Sequence, residues 1–350
     1  ILLFQLSGKS ETLSLEVDGH RIALTNLDKP LWPEHEGRAA VTKREVVRYF
    51  ATMGPVLLSH LRDRPLTLTR YPDGIYGESF YQKHWEHKLP DFVETVDMFS
   101  SHNEGAREYI VVNNLPTLVW LAQIADLELH PSLSRTVREP DALDATTDFA
   151  ESEDAILGSV LNRPDFIVFD LDPYIYSGQE TTGDEPELNR KAFAKTAEIA
   201  LELKDILDQL SLSAFLKTSG KTGLHIYVPV LRRYEYRVTR KTCEIVGRFL
   251  MRNRPRDVTM EWSVSKRAGK VFLDHNQNVR AKNMASVYSL RPLPGAPVST
   301  PLRWTELEDV YPTMFTIDTV PERVGETGDL WAGLLEAKHD LSRLLESDTD

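Results

Sequence analysis

A chain of 350 residues with 41% hydrophobic and 27% charged side chains can bury one large core or two smaller ones, and this composition excludes wholesale disorder. The net charge of −12 excludes a protein that coats nucleic acid with a uniformly positive surface, yet nine Arg and Lys between residues 232 and 256 stand against only Glu235 and Glu244. That stretch reads equally as a local phosphate-binding face and as solvated helix surface, while Cys243, the only cysteine, excludes a disulfide framework or a cysteine-based zinc site and fits a reducing compartment.

The apolar opening, residues 1–6, lacks a basic flank and is too short to cross a bilayer, so it reads as neither secretion signal nor membrane anchor. Because the first residue is not Met, a few upstream residues are expected to be missing. Residues 13–24 alternate apolar and polar around Asp18-Gly19, the pattern of a hairpin, and lead through 26–33 into a helix. Thr42 is placed to cap that helix, Glu45 holds the capping-box position, and Val46, Val47, Phe50, Met53 and Leu57 keep helical spacing toward His60. Residues 66–70, 93–99 and 109–112 read as strands, 115–125 as a buried helix, and the acidic stretch 139–154 as an exposed loop and lobe boundary.

Beyond it, 166–171 is a compact apolar strand ending in acids, and 174–189 is a polar loop bearing Gly and Pro. A long helix is expected over 188–210, strands over 214–217 and 224–230 around the turn 218–223, a helix over 239–252 and a short strand over 271–274. The alternation predicts an α+β fold with a mixed sheet, a single domain over 1–350 with lobes of about 1–150 and 151–350.

Strand side chains alternate, so Asp170 and Asp172 at i and i+2 project from one face. Two such neighbouring carboxylates are most easily tolerated when a divalent cation neutralises them, and hard oxygen ligands favour Mg²⁺ or Mn²⁺. An exposed acidic strand end fits the pair alone equally well. Asp274, which closes the strand 271–273, is the natural third ligand, and three carboxylates suit two-metal nucleotidyl transfer. The turn 218–223 offers backbone N–H groups, Ser219 and Lys221 to phosphates, with His225 on the next strand, although it also reads as an ordinary β-turn. Its spacing is not that of a Walker A loop.

Several blocks along the chain carry a resemblance: residues 24–30, 64–74, 80–84, 128–131, Phe169-Asp-Leu-Asp-Pro173, 217–225, 270–278 and 288–304. With these the sequence resembles the bacterial ligase D-type primase-polymerases of the archaeo-eukaryotic primase superfamily, which work beside ATP-dependent DNA ligases in Ku-dependent end joining. The resemblance implies a primase-like catalytic core with a mixed or antiparallel sheet, flanking helices and a smaller N-terminal lobe. It implies a metal triad of Asp170, Asp172 and Asp274 holding two Mn²⁺ or Mg²⁺ ions. It also implies nucleotide contacts from Ser219, Lys221, His225, Arg267, Gln277 and Arg291, with Arg70, Phe80 and Tyr81 bordering the nucleotide. Asn26, Lys29 and Lys43 match the pocket that grips the 5′-phosphate of DNA, and His130 matches a histidine near the active centre whose role stays open.

The expected activity is template-directed extension of a primer 3′-hydroxyl at short gaps or breaks, with ribonucleotides preferred over deoxyribonucleotides. The expected partners are gapped or broken DNA, rNTP or dNTP, an ATP-dependent ligase and Ku, for a cytoplasmic, nucleoid-associated monomer that contacts no membrane. Two departures stand out: Thr222 replaces a common lysine of the phosphate loop, with Lys221 one place earlier, and the loop 174–189 is long. The first re-aims or removes a phosphate contact, and the second resembles the free-standing or ligase C-associated branch, which is similar to gap-filling repair enzymes. A haloacid-dehalogenase-like phosphatase, whose nucleophile also sits in a strand-end Asp-x-Asp, and a non-catalytic DNA-end adaptor are the alternatives.

Overall fold

The computed structural model describes residues 2–100, 102, 104–181 and 183–346; Ile1 of the opening segment and Thr182 of the long loop lie outside the described residues. The hairpin forms from Leu13–Val17 and His20–Leu24, and its two-residue turn takes positive φ at both Asp18 (49°) and Gly19 (79°), as a tight antiparallel hairpin demands. Helix Lys43–Leu61 starts as the sequence predicts, with Glu45 accepting from the Thr42 N–H (2.7 Å) and hydroxyl (3.1 Å). Its apolar stripe packs on helix Leu115–Gln123. Beside the pair lies a three-stranded antiparallel sheet in the order Phe80–Gln82, Leu66–Arg70, Asp126–Pro131. Strands Glu94–Ser100 and Gly105–Val111 form a separate hairpin.

The C-terminal half is built on a six-stranded mixed sheet in the order Val258–Thr259, Val271–Asp274, Phe166–Pro173, Leu224–Pro229, Phe215–Thr218, Pro301–Leu302. All neighbours are antiparallel except the first pair. Strand Phe166–Pro173 is buried along both faces, which is why it reads as a continuous apolar run; helices Arg190–Gln209 and Tyr236–Asn253 pack against it. One apolar core runs from Leu6 to Leu341 and joins both halves. No helix among the described residues is long and apolar enough to cross a membrane.

The acidic stretch is not the wholly exposed loop that its charge suggests. Ala142, Ala145 and Phe149 are buried with Ile156 and Val160 under the hairpin's Val96, Met98 and Phe99, and Glu153–Leu157 is a short helix. These apolar anchors are spaced without period among the acids, so charge dominates the sequence pattern. Asp141 of the same stretch enters a buried ion network with Arg232, Lys338 and, through shared cations, Asp165.

Candidate active site

Strand register assembles the site. Asp170 lies directly opposite Asp274 on one neighbouring strand and His225 on the other, and Asp172 projects two residues further along the same face. Asp170 is only 5% exposed and Asp274 is equally buried, while Asp172 is partly open to the cleft. The Gln277 amide donates to both Asp170 Oδ2 (3.3 Å) and Asp274 Oδ2 (3.1 Å), bridging the two carboxylates. His225 Nε2 stands 3.3 Å from Asp170 Oδ1, a buried atom with no hydrogen-bond partner among the described residues.

These carboxylates are held at a cost. Burial, then the Asp172 and Asp274 charges, push Asp170 well above the ordinary carboxylate range, and burial with Glu185 and Asp274 pushes Asp172 up to about 6. Among the described residues no group of three or more His, Cys, Asp or Glu side chains is gathered closely enough to hold an ion, and the amide of Gln277 bonds both Asp170 and Asp274. The donor chemistry nevertheless fits a hard divalent cation: Asp170 and Asp274 face each other across strands with Asp172 two residues along the same face, one buried oxygen has no partner among the described residues, and a cation would relieve the elevated proton affinity.

Around the acids runs a cleft of about 300 Å³ lined by His130, Tyr174, Glu185, Ser219, Lys221, Thr222, His225, Gln277 and Arg291 as well as Asp170 and Asp172. The Ser219 hydroxyl oxygen accepts the backbone N–H groups of Lys221 and Gly223, both at 3.1 Å, which closes the turn and leaves its own hydrogen free. Arg291 donates to Glu128 Oε1 (2.8 Å) and to the Ser219 carbonyl (2.7 Å), so it fastens the turn to the N-terminal half. Burial works against the Glu128 charge, but His130 and Arg291 hold its carboxyl down at about 2. Arg267 lies over the Phe272 ring, 3.5 Å from its centroid, and donates to the Tyr174 hydroxyl (2.7 Å), which in turn donates to Glu185 (3.2 Å).

Two glycines shape the turn. Gly220 takes φ +74° and packs against Arg291, and a Cβ on Gly223 would lie 2.3 Å from the Leu171 carbonyl and 2.8 Å from Asp172 Oδ1. Gly223→Ala is therefore expected to displace the Asp172 strand end, and a misplacement of about 1 Å costs roughly 100-fold in turnover. Nucleotide incorporation by the purified variant checks this; a loss below about threefold would remove the steric argument.

Arg70, Phe80 and Tyr81 fall outside the lining of this cleft. Arg70 is tied to the Ile124 carbonyl and Gln82, with its guanidinium over Trp85. Phe80 and Tyr81 are 39% and 57% exposed, so neither is a core residue, and Tyr81 lines a neighbouring cavity of about 620 Å³ with His84, Tyr109 and Arg280. Lys29, Lys43 and Arg70 form a separate cationic group: the Lys43 N–H donates to the Lys29 carbonyl (2.9 Å), and burial together with Lys29 and Arg70 lowers the Lys43 pKa. Asn26, with φ 52°, closes the turn that brings Lys29 to the helix start, its carbonyl accepting from the Lys29 N–H at 3.0 Å. Lys29 also pairs with Asp73 at 2.6 Å. His130 lines the cleft 3.8 Å from Glu128, its Nε2 buried and without a hydrogen bond.

Sequence reasoning missed Glu128, Lys217, Tyr174 and Glu185 as parts of this site. The mixed polar run of Asp126–Pro131 hides a buried edge strand, and a lysine in a short strand ordinarily signals solvent.

The family model described as "LigD, primase-polymerase domain" matches residues 42–331. The chain belongs to this family. The LigD primase-polymerase family consists of nucleotidyltransferases, and the class generally uses divalent metals. The multifunctional non-homologous end joining protein LigD of Mycolicibacterium smegmatis is 33% identical over 314 residues, covering 90% of this chain and 36% of that protein. The bifunctional LigD of Bacillus subtilis is 29% identical over 310 residues, 88% of this chain and 43% of that protein. The chain thus spans well under half the length of these curated relatives. Among solved structures, the polymerase domain of Mycobacterium tuberculosis ligase D in complex with DNA matches with a TM-score of 0.74 and 30% identity, covering 91% of this chain and 99% of that one. The primase-polymerase fold is therefore the fold of this chain, its homologues in the family are nucleotidyltransferases, and the phosphatase and non-catalytic adaptor readings are not favoured.

Proposed function

We propose that this LigD-type primase-polymerase extends a primer 3′-hydroxyl at short gaps or breaks in DNA, with ribonucleotides preferred, as part of DNA repair in the cytoplasm. The observation that carries the reading is the cross-strand row of Asp274, Asp170 and His225, with Asp172 alongside, facing the Ser219 turn and Arg291. Asp170, Asp172 and Asp274 would hold two Mg²⁺ or Mn²⁺ ions. Bound there, such a pair activates an attacking hydroxyl and stabilises a leaving pyrophosphate. The Ser219 hydroxyl and His225 would donate to the triphosphate, with Lys221 at the rim of the cleft and Arg291 braced by Glu128. Arg267 would reach the same phosphates from beside Tyr174, and exposed Phe80 and Tyr81 would offer rings to a base.

The cationic group of Lys29 and Lys43, with Asn26, would take the 5′-phosphate on the far side of a gap, at the N-terminal end of helix Lys43–Leu61. An ATP-dependent ligase and Ku as partners, and a monomeric state, belong to the same proposal. The test is incorporation of rNTP or dNTP into gapped DNA with or without a 5′-phosphate, with Mg²⁺ or Mn²⁺. Stimulation by the 5′-phosphate is expected, and Lys43→Ala should lose roughly tenfold of it, the worth of a charge-assisted hydrogen bond. Equal activity on both substrates in the parent protein would refute the pocket, and no incorporation on any gapped substrate would refute the function.

A further inference from the structure

The row of polar residues across the catalytic sheet continues one strand beyond His225. Lys217 lies directly opposite His225 on strand Phe215–Thr218, so Asp274, Asp170, His225 and Lys217 stand side by side on four adjacent strands. Lys217 is 0% exposed, a rare position for a lysine unless its charge is met. Its Nζ lies 2.8 Å from His225 Nδ1, 3.0 Å from the Ala285 carbonyl and 2.6 Å from Ser299 Oγ. The Ser299 hydroxyl already donates to the Thr218 carbonyl at 2.8 Å, so toward Lys217 its oxygen is an acceptor.

An ammonium group has three hydrogens and no lone pair. All three partners present acceptors, and the count closes only if His225 offers the Nδ1 lone pair to Lys217. A neutral imidazole then carries its hydrogen on Nε2, the nitrogen 3.3 Å from Asp170 Oδ1. The contact to Asp170 is not an aligned hydrogen bond, so an Nε2–H remains available to an incoming phosphate oxygen.

We infer that Lys217 is a positioning residue that fixes His225 as the Nε2–H tautomer, so that the imidazole faces the cleft as a hydrogen-bond donor. The tautomer follows from the three acceptors gathered around an ammonium at Lys217; its use in binding a triphosphate rests on the function proposed above. An apolar residue at 217 would release the ring to take either tautomer and would weaken the donor without touching the substrate itself.

The direct test is two-bond ¹H–¹⁵N correlation of protein labelled with ¹⁵N-histidine, the His225 signals being assigned by their loss in His225→Gln. Nε2 protonated and Nδ1 unprotonated in the parent protein is the expected result; a protonated Nδ1 overturns the inference, and this needs no variant of Lys217 to fold. Lys217→Met should raise the KM for nucleotide roughly tenfold, the worth of one hydrogen bond to a charged group, with a smaller change in kcat. Because Lys217 acts through His225, His225→Ala combined with Lys217→Met should be no worse than His225→Ala alone. Multiplying losses in the double variant would overturn the positioning role. If His225→Ala incorporates nucleotide as well as the parent does, the proposed use of the cleft fails while the NMR result still decides the tautomer.

Discussion

Asp170→Asn is expected to raise the melting temperature of the metal-free protein by about 2 °C or more while lowering nucleotide incorporation by at least about a thousandfold. Both effects have one origin. Asp170 is buried opposite Asp274 and on the same face as Asp172, and burial and these two charges push its proton affinity far up. A neutral amide of nearly the same shape removes that repulsion and can still accept from Gln277. It cannot supply the anionic oxygen that the proposed ion binding requires. The same logic gives a pH signature at Asp172, whose carboxyl titrates at about 6 in the folded state against an ordinary value of 3.8. A raised carboxylate pKa means that the folded state holds the proton more tightly, so stability falls as pH rises through that window. The stability gain from Asp172→Asn should therefore be absent below about pH 4 and reach its plateau above about pH 6. Calorimetry and primer extension on the same preparations decide the matter. A lower melting temperature together with parental activity would remove Asp170 from the site.

Which parts of this site were legible in the sequence follows from the range of the interactions. Asp170 and Asp172 share a face by strand alternation, a local rule, and Asp274 announces itself at the end of an apolar run. The register that sets Asp274 and His225 on either side of Asp170 joins strands far apart in the chain, and no local pattern encodes it. Lys217 looks like a solvent-facing residue until the strand Pro301–Leu302 and the segment through Ala285 and Ser299 close over it. Glu128 sits in a strand whose Asp126, Glu128 and His130 suppress the apolar signal, because its polar groups are buried against one another and against Tyr71 and Arg291. The grouping of Asn26, Lys29 and Lys43 rests on family resemblance, and the backbone bond from Lys43 to Lys29 that brings two of them together joins segments no local pattern connects. The fold class needed none of these details, since the periods of its long helices and its apolar central strand sufficed.

Asp165→Ala is expected to destabilise the fold by about 3–5 kcal/mol, the cost of leaving buried cations uncompensated. Asp165 is fully buried at the foot of strand Phe166–Pro173, and its carboxylate accepts from Arg64 Nη2 (2.7 Å), Arg135 Nε (3.0 Å) and Nη2 (3.1 Å), and Lys338 Nζ (2.7 Å). Arg232, also fully buried, stands 3.6 Å away and pairs with Asp141 at 2.9 Å. Arg64 and Arg135 before the acidic stretch, Arg232 after it and Lys338 near the C-terminal end of the chain thus meet at one carboxylate at the foot of the strand that carries Asp170, and Asp141 of the stretch shares their cations. Although burial alone would raise it, the surrounding cations hold the Asp165 carboxyl far below its ordinary range. For a depressed carboxylate the stabilisation is present above the unfolded-state pKa, near 4, and is lost as pH falls. Urea unfolding should therefore show the gap between parent and variant narrowing as pH is lowered from about 5 to about 3. Removing one cation as well should recover part of the loss, so Asp165→Ala with Lys338→Met should be less destabilised than the sum of the single changes. Strict additivity, or a loss under about 1 kcal/mol in Asp165→Ala, would show that the apolar core alone joins the two halves and that the network contributes little.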